Sequence, residues 1–223
     1  MKESHKNTPE IPESVPTTMT LAEFLENDVP GYEYSEGKLV LRSPPTVPKS
    51  VPTTMTLAEF LENDVPGYEY AKGELIPMSA ATRRHGKISA KVIWHLYSHI
   101  YENGLGELYT AETTFQVGER VMKPDVAFVS TDHLDADEDK GFPIPPDLAI
   151  EVISPTDVHS RIVRKVFDYL DAGTRLVWVL DSVAKAVTVY RSKSDIEILT
   201  HEAMLTGEDV VPGFTCPVGQ LFE

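Results

Sequence analysis

Cysteine is almost absent from this chain, and no apolar run is longer than a β-strand. Cys216 is the one cysteine in 223 residues, which excludes an intrachain disulfide and a zinc site with several cysteine ligands. The apolar runs are far shorter than the roughly 20 residues that a membrane helix needs. The first residues, Met-Lys-Glu-Ser-His-Lys, are too polar for a signal peptide. We therefore expect no membrane segment and a cytoplasmic location.

Positive charge is also scarce. The 20 Lys and Arg residues face 35 Asp and Glu residues, and the formal net charge is -15. Such a charge repels a polyanion at long range, which argues against a general nucleic-acid-binding protein, although a local basic patch remains compatible with it. Any contact with DNA would have to be local or bridged by a metal ion.

The chain contains one internal duplication. Ser14–Tyr34 recurs without a change as Ser50–Tyr70, 36 residues later. Each copy predicts a short helix that begins after a threonine, followed by a tight hairpin with a glycine in its turn. The threonines are Thr20 and Thr56, and the glycines are Gly37 and Gly73. Two copies are too few for a solenoid, which needs about three or more units to bury a continuous core.

The second copy alone runs directly into the remaining sequence. We therefore predict a domain over residues 50–223 and an N-terminal extension over residues 1–49 that carries the duplicate copy. Three arrangements of the extension stay open: it lies loosely attached, it displaces its twin, or it swaps onto a neighbouring subunit. We favour loose attachment.

Periodicity predicts an alternation of helices and strands within the domain. Helical spacing of apolar residues marks two amphipathic helices, and β-branched runs mark the strands. The helices are Arg83–Glu102 and Val158–Ala172, and the strand-like runs are Leu108–Val117, Met122–Ser130, Leu148–Ser154, Leu176–Asp181, Ala186–Arg191 and Glu197–Thr200. The first two runs predict a hairpin, and the second helix predicts a parallel βαβ crossover. The expected fold class is α/β, with a mixed β-sheet flanked by helices.

Two carboxylates stand out because they lie in or beside apolar strands. Asp125 follows Pro124, and Glu151 lies inside the run Asp147–Ser154. An ionised carboxylate is costly to desolvate unless it is paired or binds a cation. Two strand ends can direct Asp125 and Glu151 to one magnesium ion, and Lys165 on the second helix could assist at a phosphate. Phosphodiester hydrolysis needs these three groups.

Each of these residues also has a structural explanation that the sequence leaves open. Asp125 could be a turn residue after proline, and Glu151 could face solvent from an edge strand. Lys165 shares a helical face with Arg161 and Asp168, and such a charged face is commonly just solvated.

Together with further motifs, these residues resemble the Uma-two family of restriction-endonuclease-like proteins, a branch of the PD-(D/E)XK nuclease superfamily. The resemblance covers roughly residues 55–192. It is carried by Tyr68-Glu69-Tyr70, Gly73-Glu74-Leu75, Met78-Ser79, His85, Pro124-Asp125-Val-Ala-Phe-Val, Pro146-Asp147-Leu-Ala-Ile-Glu151-Val-Ile-Ser154-Pro155, Lys165, Tyr169, Ala172-Gly173, Val177-Trp178 and Asp181.

The resemblance implies a restriction-endonuclease-like core with Asp125 and Glu151 as ligands of a divalent metal, Mg²⁺ with Mn²⁺ as a substitute. Ile153 stands where the superfamily motif places its lysine, so Lys165 would reach back from the following helix to replace it. Glu69 and His85 match recurrent family positions and would be accessory residues. Related nuclease folds often pair, which suggests a homodimer.

The function predicted from these features is a metal-dependent endonuclease that hydrolyses DNA. Basic residues at the two helix starts, Arg83, Arg84 and Arg161, would hold phosphates. The alternative that they are solvated surface charges stays open. The first copy supplies Glu33 but no equivalent of the other site residues, so one active site per chain is expected. The alternative is a non-catalytic nuclease-like scaffold that binds a protein partner, which the net charge and the displaced lysine favour.

Overall fold

The structure is a computed structural model, and it describes residues 20, 32–35, 38–41, 55–63, 65–78, 81–134, 139–153 and 157–223. The chain divides into two compact units, Met1–Pro48 and Lys49–Glu223. In the described parts of the first unit, β1 (Tyr32–Ser35) pairs antiparallel with β2 (Lys38–Leu41). The helix predicted after Thr20 and the turn at Gly37 lie outside the described residues.

The second unit opens with the helix and hairpin predicted from the second copy. Helix α1 (Leu57–Glu62) begins at a capping box, in which Thr56 and Glu59 each bond the other's backbone amide. Strands β3 (Tyr68–Ala71) and β4 (Glu74–Pro77) form the antiparallel hairpin. Its two-residue turn holds Lys72 and Gly73 at positive φ, 50° and 94°, which suits the glycine. The predicted helix start and hairpin turn are confirmed here.

This hairpin belongs to a four-stranded sheet of order β4-β3-β7-β6, in which β6 is Phe115–Val117 and β7 is Arg120–Met122. Helix α1 covers the sheet with Phe60, which is fully buried. Phe60 packs in one cluster with Val65, Tyr70 and Val121.

The larger sheet has six strands in the order β12-β11-β10-β9-β8-β5. The strands are β5 (Gly106–Thr110), β8 (Val126–Ser130), β9 (Leu148–Ile153), β10 (Leu176–Asp181), β11 (Ala186–Tyr190) and β12 (Ile196–Leu199). The β9–β10 pair is parallel and the other pairs are antiparallel, so the sheet is mixed. Helix α3 (His159–Ala172) connects β9 to β10, which confirms the predicted βαβ crossover.

Helices cover both faces of this sheet. Helix α2 (Arg83–Asn103) begins at the Thr82 cap and ends at Gly104, which has the left-handed φ of 61°. The buried side chains of α2 pack against one face, and Val166 and Tyr169 of α3 pack against the other. The α2 side chains are Ile88, Val92, Leu96 and Ile100. The predicted α/β fold with a mixed, helix-flanked sheet is therefore confirmed.

The C-terminal region adds the short antiparallel pair β13 (Met204–Thr206) and β14 (Thr215–Pro217). Two 3-10 turns complete the described elements, Thr131–His133 and Val218–Leu221. Within the described residues, no helix has the length and apolar character that crossing a membrane requires.

The two runs predicted to form a hairpin, residues 108–117 and 122–130, pair antiparallel with each other as expected, but each run is divided between two sheets. β5 pairs with β8 in the large sheet, whereas β6 pairs with β7 in the small one. The chain passes between the sheets at Lys123, Pro124 and Asp125. Pro124 has no amide hydrogen, so it cannot continue the hydrogen-bond ladder of a strand. The apolar residues on both sides of it are buried. The apolar sequence pattern is therefore continuous and does not indicate where one sheet ends and the other begins.

Candidate active site

The strand register places Asp125 next to Glu151. Strands β8 and β9 are antiparallel with Val126 opposite Ile150, so the residue before Val126 lies beside the residue after Ile150. The backbone amide of Val152 donates a 2.7 Å hydrogen bond to Asp125 Oδ2. Asp125 and Glu151 therefore occupy adjacent positions on neighbouring chain segments of the large sheet.

Glu151 lies on the face of the sheet that α3 covers. Its side chain is 8% exposed, and β9 is flanked by β8 and β10, so the edge-strand explanation does not hold. Lys165 Nζ lies 2.8 Å from Glu151 Oε1 and 3.0 Å from Oε2. One helical turn later, the Tyr169 hydroxyl donates a 2.9 Å hydrogen bond to Oε1.

Glu69 of strand β3 joins the cluster from the small sheet. Its Oε1 lies 3.0 Å from Lys165 Nζ and accepts a 3.0 Å hydrogen bond from the backbone amide of Lys123. Lys165 thus lies between two carboxylates and is 19% exposed, which removes the solvated-face explanation. Asp168 on the same helix instead pairs with Arg120 at 2.5 Å.

His85 joins the cluster from the first turn of α2. Its Nε2 lies 3.0 Å from Asp125 Oδ2, and its backbone amide is held by the Thr82 side chain. The hydrogen bond to Asp125 raises the pKa of His85. Burial opposes this change, and the negative charges of Asp125, Glu151 and Asp157 add to it. His85 is therefore biased toward the imidazolium form.

The cluster contains more negative than positive charge. Burial raises the pKa of Glu151 to about 7; Asp125 and Glu69 act in the same direction, and Lys165 opposes them. Burial favours the neutral amine of Lys165, but the Glu151 and Glu69 carboxylates outweigh it and raise the pKa of that ammonium. Three carboxylates thus share one lysine and one histidine, an arrangement that a bound cation would stabilise.

The residues fit a hard divalent cation. The contacts of Asp125 fall on Oδ2, and within the described residues Oδ1 has no partner. Each oxygen of Glu151 retains acceptor capacity beside its present partners. No group of three His, Cys, Asp or Glu residues in the described part of the chain could hold a metal ion. A cation at Asp125 and Glu151 would therefore complete its shell with backbone carbonyl oxygens and water, as Mg²⁺ often does.

The predicted phosphate-binding residues lie near the cluster but outside it. Arg83 and Arg84 are exposed immediately before His85 on α2, and Arg161 is exposed one turn before Lys165 on α3. Arg83 lies on the face of α2 opposite the buried stripe, and within the described residues none of the three arginines forms a hydrogen bond or ion pair with a residue of the cluster.

Sequence reasoning did not assign a role to Tyr169 or to the Lys123 backbone. Burial and the Glu151 and Glu69 carboxylates raise the pKa of Tyr169 well above 10.0, so its hydroxyl remains a donor. The four-residue spacing from Lys165 was the available signal, since it places both side chains on one helical face. No sequence signal indicated that the Lys123 backbone amide would bond Glu69, because that contact depends on where the chain passes from one sheet to the other.

The family model Uma2, described as "Putative restriction endonuclease", matches residues 55–219. A crystal structure from Anabaena variabilis ATCC 29413, described as "a putative nuclease belonging to DUF820", is similar in fold. The TM-score is 0.67 at 21% sequence identity, and the alignment covers 75% of this chain and 97% of that chain. No curated protein matches.

Proposed function

Because this chain belongs to the Uma2 family, we propose that it is a magnesium-dependent endonuclease that hydrolyses phosphodiester bonds in DNA. The observation that supports the proposal is the pairing of Lys165 with Glu151 at a position that lies beside Asp125, where β8 begins next to β9. This position is partly open to solvent, since the side chains of Asp125 and Lys165 are 15% and 19% exposed.

Asp125 and Glu151 would hold the Mg²⁺ ion, and Mn²⁺ would serve as a substitute. When bound, such an ion lowers the pKa of water and neutralises charge on a phosphoryl oxygen. Tyr169 fixes the orientation of Glu151 through its hydrogen bond, and the Val152 amide does the same for Asp125. These contacts preorganise the carboxylates, which reduces the reorganisation that the reaction would otherwise require.

Lys165 would stabilise the negative charge that develops on the scissile phosphate. The three N–H donors of the ammonium face Glu151 Oε1, Glu151 Oε2 and Glu69 Oε1, so a phosphate oxygen would take the place of one of these acceptors. His85, beside Asp125, would act as an accessory cation, and Arg84 and Arg161 would hold the flanking phosphates. Arg83 lies on the opposite side of α2 from His85, so the sequence-based assignment of a phosphate to Arg83 is not carried into the proposal.

Substitutions with a matched control test the proposal. Asp125→Asn and Glu151→Gln should each lower magnesium-dependent cleavage of supercoiled plasmid DNA by about 100-fold or more, since metal catalysis supplies several kcal/mol. Lys165→Met should lower it by about 100-fold, the typical cost of losing one charge-stabilising donor. Asp168→Asn, on α3 but outside the cluster, should leave cleavage unchanged.

Metal binding separates this proposal from the scaffold alternative. Calorimetry should show Mg²⁺ or Mn²⁺ binding by the unaltered protein and its loss in Asp125→Asn and Glu151→Gln, with circular dichroism confirming the fold. Full cleavage by either folded variant would contradict the assignment. Absence of both cleavage and metal binding in the unaltered protein would leave the scaffold function.

A further inference from the structure

The outer face of α2 carries a row of exposed aromatic rings. Trp94, Tyr97 and Tyr101 are 69%, 52% and 73% exposed. The rings of Tyr97 and Tyr101 stack, with centroids 5.8 Å apart and planes 11° from parallel. Exposed rings grouped on one surface often mark an interaction site.

This row continues toward the start of the helix with the same spacing. Arg83, Lys87 and Ala90 precede the rings, are exposed, and extend the alternation of four- and three-residue steps. A 3.5-residue repeat is the spacing that brings two helices together along one seam. We define the outer row by its six residues, Arg83, Lys87, Ala90, Trp94, Tyr97 and Tyr101. It lies opposite the stripe that α2 buries in the core.

We propose that a second copy of this chain occupies this surface, with the two α2 helices antiparallel. Charge favours this orientation. Basic residues lie in the first half of the helix, at Arg83, Lys87 and Lys91, whereas Glu102 lies at its end. Lys87 and Lys91 also donate to the carbonyl oxygens of Glu223 and Gln220, and they keep their positive charge there. Antiparallel pairing puts the basic half of one copy beside Glu102 and Tyr101 of the other, with ion pairs and cation–π contacts. Parallel pairing would put basic residues together.

The exposed rings supply more than half of the smallest area that a stable pair of helices needs, and the rest must come from their neighbours on the outer row. An aromatic side chain buries about 150–250 Å², so at their exposed fractions the three rings of both copies supply on the order of 800 Å². A stable interface needs roughly 1,200–2,000 Å² in total. The stems of Arg83 and Lys87, together with Ala90, lie along the same row and can supply further area. Trp, Tyr and Arg are the residue types that dominate interface energies.

Nucleic acid is the other candidate occupant, because aromatic rings also stack on bases. The net charge of -15 disfavours a polyanion here, and the rings project from the outer face of a helix. The second copy is therefore the better partner. This inference concerns association and does not depend on catalysis at the carboxylate cluster.

The mass of the full chain in solution tests it. Sedimentation equilibrium between about 1 and 100 µM, the range in which a Kd of moderate strength is visible, should show a dimer of the 24.8 kDa chain. Trp94→Arg should shift the protein to monomer. Ile198→Arg is the matched control, because Ile198 is 68% exposed on β12, and it should remain dimeric. A monomeric unaltered protein, or a Trp94→Arg variant that stays dimeric, would refute the interface.

A charge reversal tests the orientation. Glu102→Lys should raise the dimer Kd about tenfold at low salt, because a like charge would then face the partner's basic half. Glu202→Lys, at a side chain that is 95% exposed, makes the same change elsewhere and should leave Kd unchanged. An unchanged Kd in Glu102→Lys would contradict antiparallel pairing. A monomer whose oligonucleotide binding is lost in Trp94→Arg would assign the surface to nucleic acid and overturn the proposal.

Discussion

At the scale of single residues, Asp147 shows how a carboxylate in the family motif can serve the fold. Its side chain is 3% exposed, and its Oδ2 accepts a 2.8 Å hydrogen bond from the Ser130 backbone amide. His133 Nδ1 lies 3.0 Å from both oxygens. Burial alone would raise the pKa of Asp147, but the bonds from Ser130 and His133 outweigh it and lower the pKa. Through these hydrogen bonds, Asp147 links the end of β8 to the start of β9.

Asp147→Asn should lower the free energy of unfolding by about 1.5–3 kcal/mol at pH 7, the usual worth of hydrogen bonds to a charged group. The folded pKa lies below the ordinary value of 3.8, so the carboxylate stabilises the fold above that pH. The contribution disappears as pH falls through the folded pKa, and the variant should then approach the unaltered protein. Urea unfolding at pH 7 and pH 3 measures both differences.

Asp132→Asn is the control, since Asp132 is an exposed carboxylate on the 3-10 turn that carries His133, and the substitution should change stability little. An equal loss of stability in Asp147→Asn at both pH values would argue against the ionised form as the stabilising one.

The sequence indicated some residues of the cluster better than others. Asp125 and Glu151 were detectable because a carboxylate in apolar surroundings needs a partner. Tyr169 shares a helical face with Lys165, but a tyrosine on the inner stripe of an amphipathic helix is equally typical of an ordinary core residue, so the sequence assigned no role to it. The role of Lys165 could not be assigned from helical spacing alone. Only the packing of α3 against β9 shows that its ammonium contacts carboxylates instead of solvent.

At the scale of elements, the short helix α1 depends on a single large anchor. Six residues are too few for a stable isolated helix, so the Thr56 capping box and the burial of Phe60 must hold it in place. The duplication provides an unusually close comparison, because Phe24 occupies the same local sequence in the first copy.

Phe60→Ala should lower the free energy of unfolding by about 3–5 kcal/mol, through lost burial and the cavity left behind. Phe24→Ala should leave the unfolding of the domain unchanged if the second copy alone packs there. Thermal unfolding of the full chain compares them. A matching loss in Phe24→Ala would show that the two copies exchange or share that position.

The sequence predicts the ends of helices best where a capping residue determines them. Thr82 and Gly104 delimit α2, and Gly173 ends α3 in the left-handed conformation. The crossing at Pro124 was missed because burial on both sides hides the change of sheet. Pairing between distant strands is decided by tertiary packing, which a local pattern does not contain.

At the scale of the whole molecule, the duplication does not supply a second set of the cluster residues. Glu33 is the counterpart of Glu69, but Asp125, Glu151 and Lys165 are supplied once. Glu69 lies in the cluster because the Lys123 amide and Lys165 ammonium hold it there.

Glu69→Gln should therefore reduce DNA cleavage by about tenfold or more, the typical loss when a group that orients a metal site is altered. Glu33→Gln, in the same local sequence, should have no effect. Initial cleavage rates at saturating Mg²⁺ give the comparison. Equal rates for Glu69→Gln and the unaltered protein would remove Glu69 from the active site.

The cluster draws its side chains from widely separated stretches of the chain, between Glu69 on β3 and Tyr169 on α3. During translation, Asp125 and Glu151 leave the ribosome before Lys165 does. Under the proposed function, a truncated product that stops short of α3 would not damage the genome that encodes it.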